Sequence, residues 1–89
     1  MSKRTLHFIG DGWDDYLFWQ KNDKKILKKI NRLLEEAQRT PFDGTGKPEP
    51  LKEDLAGAWS RRVSDEHRLV YVVTGAEIRV VSCRFHYKK

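Results

Sequence analysis

The feature that most constrains this fold is a single amphipathic stripe in the first half of the chain. Between Lys24 and Gln38, apolar residues recur at three- and four-residue steps, the period of a helix with one face packed on a core. The residues of the stripe are Ile26, Leu27, Ile30, Leu33, Leu34 and Ala37. Asp23 is placed to cap the start of this helix. Pro41 is expected to end it, because the residue before a proline disfavours helical backbone.

A sheet formed mainly by the second half of the chain is predicted to cover that stripe. Runs rich in β-branched and aromatic residues at 59–64, 67–73 and 77–85 predict three strands, and the short turns between them predict antiparallel pairing. A further strand is expected at 4–9. Residues 40–50 contain three prolines and two glycines, which predicts a loop.

The segment between the first strand and the main helix predicts a second, shorter helix. It is expected to begin at Gly12 or Trp13, with Asp11 as its cap. Its inward face is expected to consist of Trp13, Tyr16, Leu17 and Gln20. The predicted order is therefore β-α-α-β-β-β, an α/β fold of the α+β type, in a single domain over residues 1–89.

Charge and composition narrow the class of protein. Among 89 residues, 18 lysines and arginines against 13 acidic residues give a net charge of +5, which favours polyanionic partners. No apolar run approaches the roughly 18 residues of a membrane span, and the first ten residues lack the apolar region of a signal peptide. The single cysteine, Cys83, excludes an intramolecular disulfide and is expected to be an inert core residue. We expect a cytoplasmic protein with no membrane segment.

Motifs for metals, nucleotides and covalent catalysis are missing from the sequence. The three histidines and Cys83 do not fall at the spacings of zinc ligands. No nucleophile elbow or GxGxxG is present, and the segment Gly44–Lys47 is too short to cradle a nucleotide. We therefore expect neither a cofactor nor a metal.

One acidic residue has an unusual setting. Glu49 lies between two prolines and two lysines in the segment Lys47-Pro48-Glu49-Pro50-Leu51-Lys52. The prolines restrict the backbone and the lysines favour a charged carboxylate, which suits a proton acceptor held in place. The alternative interpretation is an ordinary solvated acid in a loop.

Three arginines fall on two neighbouring predicted strands. Arg61 and Arg62 are adjacent, so one is expected to lie over the helices and the other to face solvent or a ligand. With Arg68 they are able to form a guanidinium patch that holds phosphate bidentately. The alternative is a solvated sheet face whose charges protect against edge pairing.

Basic and aromatic residues alternate at the end of the chain, in Arg84-Phe85-His86-Tyr87-Lys88-Lys89. Aromatic side chains stack on unpaired bases and cations hold phosphates, although a frayed terminus is the alternative. Metal-free RNA cleavage requires a base for the 2′-hydroxyl, an acid for the 5′-oxygen and a cation for the charge on phosphorus. Glu49, His86 and Arg68 are the candidates for these three roles.

Taken together, these segments resemble the YoeB/Txe toxins, bacterial mRNA interferases of the RelE superfamily. The matching blocks are Trp13–Leu17, Thr40–Phe42, Gly46–Lys52, Trp59–Arg62, Glu66–Tyr71 and His86–Tyr87. The combination of KPEPLK, WSRR, EHRLVY and a closing HY is specific, although each piece alone is weak. The resemblance implies the RelE/YoeB-like small ribonuclease fold, with two helices packed on a twisted, mostly antiparallel sheet. It also implies cleavage of mRNA in the ribosomal A site during translation.

The resemblance further implies roles for individual residues and a set of partners. Glu49 is implied as general base, Arg68 as the transition-state cation, His86 as general acid and Tyr87 as the residue that positions the substrate. The predicted RNA- or ribosome-contacting residues are Lys47, Lys52 and Arg62 from the resemblance, and Arg61 and Arg84 from their basic surroundings. The implied partners are the 70S ribosome with its mRNA, a YefM-type antitoxin whose acidic C-terminal segment folds over the toxin, and a second copy of the toxin.

The sequence departs from the family pattern at its end, and two alternative functions stay open. The family usually ends at the tyrosine, whereas Lys88 and Lys89 follow it here. The ParE branch shares the fold and poisons gyrase, but it lacks the acid–base pair, and Glu49 with His86 argues against that reading. Steric blocking of the A site without cleavage requires only basic and aromatic residues, and it remains an alternative.

Overall fold

The computed structural model describes residues 3–85, which form a five-stranded sheet with two helices. The strands are β1 (Thr5–Phe8), β2 (Glu49–Pro50), β3 (Ala58–Arg62), β4 (Arg68–Val73) and β5 (Glu77–Ser82), and the helices are α1 (Gly12–Asn22) and α2 (Lys24–Arg39). The strands lie in the order β1-β5-β4-β3-β2. Only β1 with β5 is parallel among these pairs. The predicted α+β fold, with its mostly antiparallel sheet, is confirmed.

Helix α2 supplies the centre of the core, as its apolar stripe predicts. Its buried residues Ile30, Leu33, Leu34 and Ala37 pack with Leu69, Tyr71, Ile78 and Val80 of the two central strands. The Asp23 carboxylate accepts hydrogen bonds from the backbone N–H groups of Lys25 (3.1 Å) and Ile26 (3.2 Å), which confirms the predicted cap. Such a cap contributes about 1 kcal/mol to stability. The helix ends at Arg39, two residues before Pro41, as predicted.

Helix α1 differs from the sequence prediction in its cap and in its inward face. Asp11 occupies the cap position, but its side chain makes no capping hydrogen bond. Gly12 and Trp19 are the buried residues of α1, whereas Trp13 is 51% exposed and stacks on Tyr16. The reason is tertiary: a Cβ at Gly12 would collide with the backbone of Val80, so the helix begins in direct contact with β5.

The predicted loop at 40–50 is wrong at its end, where Glu49–Pro50 forms the short edge strand β2. Glu49 lies opposite Ser60 and Pro50 lies opposite Trp59. Proline is tolerated on such an edge because it has no N–H to donate to a further strand. The sequence did not indicate this strand, because two residues that include a proline are too few to show the alternation of apolar and polar residues that identifies a strand.

The opposite face of the sheet carries a smaller apolar cluster. Leu51, Ala58 and Val70 are buried there, with Leu55, Val72 and Val81 packed around them. Neither helix within residues 3–85 is long and apolar enough to cross a membrane.

Candidate active site

Glu49, Arg62 and Arg68 lie on the sheet face opposite the helices. Ser60 pairs with both Glu49 and Val70, and Val70 belongs to the apolar cluster of that face. Arg62 pairs directly with Arg68. Cross-strand partners share a face, so the three charged side chains project from β2, β3 and β4 to the same side. The backbones of β2 and β4 are two strand spacings apart, roughly 10 Å, so long side chains from both can reach one group lying over β3.

The segment that carries Glu49 is fixed to β3 on both sides of the carboxylate. The Arg62 N–H donates to the Gly46 carbonyl (2.7 Å), and the Leu51 N–H donates to the Ala58 carbonyl (2.9 Å). The side chain of Glu49 is exposed between these two bonds. It is therefore a solvated acid, but one displayed from an anchored backbone instead of a loose loop.

Two predicted lysines flank this carboxylate on the same segment. Lys47 and Lys52 are both exposed. Lys47 has a φ of 51°, in the left-handed region of backbone conformation that residues other than glycine rarely adopt. The segment consequently presents one negative and two positive groups to solvent within six residues.

Arg68 has an oriented guanidinium group. Its Nη1 donates to the carbonyls of Ser64 (2.6 Å) and His67 (3.1 Å), in the turn that precedes β4. The side chain is half-buried. Because one nitrogen is held by the turn, the plane of the guanidinium is set before any ligand arrives.

Arg61 is a correction to the predicted RNA-contacting set. Its side chain is fully buried on the helix side of the sheet. Nε donates to the Tyr71 hydroxyl (2.9 Å), and Nη1 donates to Glu36 Oε1 (2.8 Å) and the Thr45 carbonyl (3.1 Å). Nη2 donates to the carbonyls at positions 40 (2.6 Å) and 43 (2.9 Å). All five guanidinium donors are therefore occupied, and Arg61 is a structural residue.

Tyr71 links this buried network to the end of α2. Burial raises the pKa of its phenol, although the hydrogen bond from Arg61 acts in the opposite direction. The protonated hydroxyl donates to the Pro41 carbonyl (2.7 Å). The loop that leads to Glu49 is thus tied to the core by side chains of β3 and β4.

The chain that follows β5 is held against the helices up to Phe85. The Trp19 indole N–H donates to the Cys83 carbonyl (2.8 Å), and Asp15 Oδ2 accepts from the Cys83 N–H (3.0 Å). The Arg84 guanidinium carbon lies 3.5 Å from the centre of the Phe18 ring and 4.7 Å from that of Phe85. Arg84 is therefore a stacked, half-buried cation. His86 and Tyr87, the predicted acid and substrate-positioning residue, lie outside the described residues.

Burial controls two ionisable groups beside this segment. It raises the pKa of the Cys83 thiol to about 12, which agrees with the prediction of an inert core cysteine. It also raises the pKa of Asp15, an effect partly opposed by the hydrogen bond from the Cys83 N–H. Within residues 3–85, no group of three or more histidine, cysteine or acidic side chains could hold a metal ion.

Two residues near the site were missed by sequence reasoning. Glu36 lies among charged residues of α2, and nothing in its local sequence distinguishes it from a solvated helix acid. His67 belongs to the EHRLVY block, but its local sequence does not indicate what its ring contacts. In the structure its Nδ1 accepts the backbone N–H of Phe85 (2.6 Å), so it contacts the segment that leads to His86.

The fold and this charged sheet face define the chain as a small α+β domain with a candidate site for a polyanionic ligand. The profile of the YoeB-like toxins of bacterial type II toxin-antitoxin systems matches residues 8–87. Toxin YoeB of Escherichia coli K12 is 58% identical over 77 residues, covering 86% of this chain and 92% of that protein. The chain therefore belongs to the YoeB family of toxins of type II toxin-antitoxin systems.

Solved structures support the same assignment. The YoeB/ParE toxin from Agrobacterium tumefaciens is 54% identical with a TM-score of 0.89, covering 93% of this chain and 99% of that one. YoeB from Staphylococcus aureus has been solved as a dimer, at 45% identity with a TM-score of 0.88, covering 97% of this chain and all of that one. The same toxin has been solved in a heterotetrameric complex with YefM, at 44% identity with a TM-score of 0.85 and the same coverage.

Proposed function

We propose that this toxin is a ribosome-dependent endoribonuclease that cleaves mRNA in the A site during translation. The observation that carries the proposal is the placement of Glu49, Arg62 and Arg68 on one face of three neighbouring strands. The Arg68 N–H also donates to the Phe85 carbonyl (3.0 Å), one residue before His86. The proposed base and cation thus lie on one sheet face, and the proposed acid follows Phe85 directly in the sequence.

The proposed reaction uses the RNA itself as nucleophile. Glu49 takes the proton of the 2′-hydroxyl, and the 2′-oxygen forms a bond to phosphorus. The bond from phosphorus to the 5′-oxygen breaks, and His86 donates a proton to that leaving oxygen. Arg68 stabilises the additional negative charge on the phosphoryl oxygens, and Tyr87 positions the substrate. No metal or cofactor takes part in this scheme.

Exposed cations around Glu49 suit a phosphate-rich partner. Lys47, Lys52 and Arg62 are exposed on or beside the edge strand. We assign them contacts to the mRNA backbone or ribosomal RNA. The Arg84 guanidinium already stacks on Phe18 and Phe85, so we assign it a contribution of positive charge to RNA binding instead of a stacking contact with a base. Such a toxin works where ribosomes are, in the cytoplasm. Arg61 is not part of this surface.

The partners proposed for this chain follow from its relatives. A YefM-like antitoxin is expected to bind and inhibit the toxin, as in the YoeB–YefM complex of Staphylococcus aureus. A homodimer is expected as well, by analogy with the YoeB dimer of that organism. An acidic antitoxin segment laid over Lys47, Lys52 and Arg62 would compete directly with RNA phosphates.

Cleavage mapping in a reconstituted bacterial translation system tests the proposal. Purified toxin is added to ribosomes translating a reporter mRNA, and new 5′ ends are read by primer extension. The control is the Glu49→Gln/His86→Ala protein. A cut within the A-site codon that only the wild-type toxin makes is the expected result.

Two other outcomes would replace the proposal. Halted translation with intact mRNA would indicate steric blocking of the A site. Intact translation combined with inhibition of purified gyrase would place the protein with the gyrase poisons, in spite of its acid–base pair.

A further inference from the structure

The residue that precedes His86 is held in an unusual conformation. Phe85 has a φ of 61°, in the left-handed region that a bulky side chain rarely adopts without support. Both backbone polar groups of Phe85 are engaged: its N–H donates to His67 Nδ1 (2.6 Å), and its carbonyl accepts from the Arg68 N–H (3.0 Å). Two adjacent residues, His67 just before β4 and Arg68 at its first position, therefore hold this backbone.

The His67 ring is itself fixed by its surroundings. It lies edge-on to the Trp19 ring, with centroids 4.7 Å apart, and against Phe85 at 5.4 Å. The His67 N–H donates to Ser64 Oγ (3.2 Å), and the His67 carbonyl accepts from the Val63 N–H (3.0 Å). Backbone and ring are both constrained, so the direction of the Nδ1 lone pair is constrained too.

The hydrogen bond defines the chemical form of this imidazole. A backbone N–H can only donate, so Nδ1 must be unprotonated and Nε2 must carry the proton. His67 is thus a neutral acceptor here, unlike His86, which is proposed to donate a proton. The same turn also orients the Arg68 guanidinium, through Nη1 bonds to the carbonyls of Ser64 and His67.

We infer that His67 is a positioning residue for the proposed cleavage, because its Nδ1 fixes the backbone of Phe85, the residue to which the proposed acid is directly bonded. Consecutive Cα atoms are about 3.8 Å apart, so a fixed Phe85 confines the origin of the next residue. His67 does not touch the reacting atoms in this scheme. The turn that contains His67 therefore holds both the Arg68 guanidinium and the backbone of Phe85. The inference rests on the proposed nuclease function.

A matched set of variants separates this role from simple packing. His67→Asn places an amide oxygen where Nδ1 lies, two bonds beyond Cβ, whereas His67→Leu keeps similar bulk without an acceptor. His67→Gln is the third variant, and its oxygen falls near the position of Nε2 instead. Circular dichroism and urea unfolding of each variant confirm that it is folded before activity is compared.

The kinetic test measures kcat and KM for mRNA cleavage on programmed ribosomes. His67→Leu is expected to lower kcat by roughly 10²-fold, the loss typical of a catalytic group displaced by about 1 Å, with KM nearly unchanged. His67→Asn is expected to recover most of that loss, and His67→Gln is not. Wild-type kcat in His67→Leu, or equal losses in the leucine and asparagine variants, would overturn the inference.

A second readout does not depend on catalysis. Nitrogen-15 NMR of the His67 ring is expected to report an unprotonated Nδ1. Hydrogen exchange at the Phe85 amide is expected to be slow in wild type and His67→Asn and fast in His67→Leu. A protonated Nδ1, or unchanged exchange in His67→Leu, would contradict the hydrogen bond between the Phe85 N–H and His67 Nδ1. If the wild-type toxin leaves mRNA intact while these spectra match expectation, the proposed function has failed and the hydrogen bond has not.

Discussion

Arg61 and Glu36 form an ion pair of 2.8 Å in which the guanidinium is fully buried and the carboxylate is about 30% exposed. Glu36 also accepts a hydrogen bond from the Thr45 hydroxyl (2.9 Å), and Arg61 donates to the Thr45 carbonyl (3.1 Å). The pair therefore joins α2, β3 and the loop that leads to Lys47 and Glu49. A buried charge without its partner is expensive, so the pair and the loop carbonyls depend on one another.

Replacing Glu36 should destabilise the toxin, and the loss should be larger when Arg61 loses both the hydrogen-bond acceptor and the charge of its partner than when it loses the charge alone. Glu36→Ala leaves a buried guanidinium without a counter-ion and is expected to cost about 3–5 kcal/mol of unfolding free energy. Glu36→Gln keeps an acceptor but loses the charge, and about 1.5–3 kcal/mol is expected. Urea unfolding at pH 7 measures both, with Glu35→Gln on the exposed side of α2 as control. Equal stability of Glu36→Ala and wild type would contradict the ion pair.

The ion pair between Arg61 and Glu36 makes the free energy of unfolding depend on pH, and the pKa of Glu36 sets the sign of that dependence. Hydrogen bonds from Thr45 hold the pKa of Glu36 below its ordinary value of 4.5, with Arg61 acting in the same direction. Because the folded-state pKa is depressed, the stabilisation is fully present above the unfolded-state pKa. It is lost as the pH falls from about that value through the folded-state pKa. The difference in unfolding free energy between wild type and Glu36→Gln should therefore shrink as the pH falls below about 4.5.

Adjacent arginines should show opposite phenotypes. Arg61→Met is expected to cost at least about 3 kcal/mol of stability, because Glu36 and three loop carbonyls lose their donor. Arg62→Met changes an exposed side chain and should shift stability by no more than about 0.5 kcal/mol. Cleavage should fall in Arg62→Met while its fold is intact. Loss of stability in Arg62→Met with none in Arg61→Met would reverse the assignment of these two residues.

The elements that were predictable from sequence are those with a local period. The stripe of α2 and its Asp23 cap were readable because 3.6-residue spacing and capping are local properties. The inward face of α1 was not, since the close approach of Gly12 to Val80 decides it. Sequence placed Arg61 and Arg62 on opposite faces. It could not say which one the core would neutralise, because Glu36 is 25 residues distant along the chain.

The same distinction between local sequence patterns and long-range contacts applies to the candidate site. Glu49, Arg62 and Arg68 were named from motifs, and their common face follows from strand register that no single segment contains. The hydrogen bond between His67 and Phe85 spans 18 residues, so neither local segment signals it. Long-range pairing, and not residue identity, is what the sequence alone did not provide.

Asp15 offers a test of the segment after β5. Burial raises its pKa, so the charged form is disfavoured in the folded state, and this penalty disappears as the pH falls through the folded-state pKa. Asp15→Asn keeps an oxygen for the Cys83 N–H without the charge, and its stability at pH 7 should equal or exceed wild type. Asp15→Ala leaves that N–H unpaired and should cost about 1–3 kcal/mol. Thermal unfolding of both variants decides between these outcomes.

Lys47 and Lys52 should contribute to ribosome association in a salt-dependent way. Each alanine substitution is expected to weaken binding and to reduce the slope of log affinity against log salt by about 1, the value for one lost phosphate contact. Co-sedimentation with ribosomes across a salt series measures the slope. Lys28→Ala, on the exposed face of α2, serves as the control. An unchanged slope in both variants would remove these lysines from the RNA-contacting surface.

Glu49→Gln isolates the proposed proton acceptor from its surroundings. The side chain is exposed and the segment is anchored by backbone hydrogen bonds of Gly46 and Leu51, so stability should stay within about 0.5 kcal/mol of wild type. Ribosome binding should persist, because the flanking lysines are intact. The cleavage rate should fall by about 10²–10⁴-fold, the contribution of a positioned general base.

Single-turnover cleavage on programmed ribosomes measures that rate, and Glu53→Gln, another exposed acid four residues away, is the matched control. Equal losses in the two variants would indicate a general effect of charge, and full activity in Glu49→Gln would require another base.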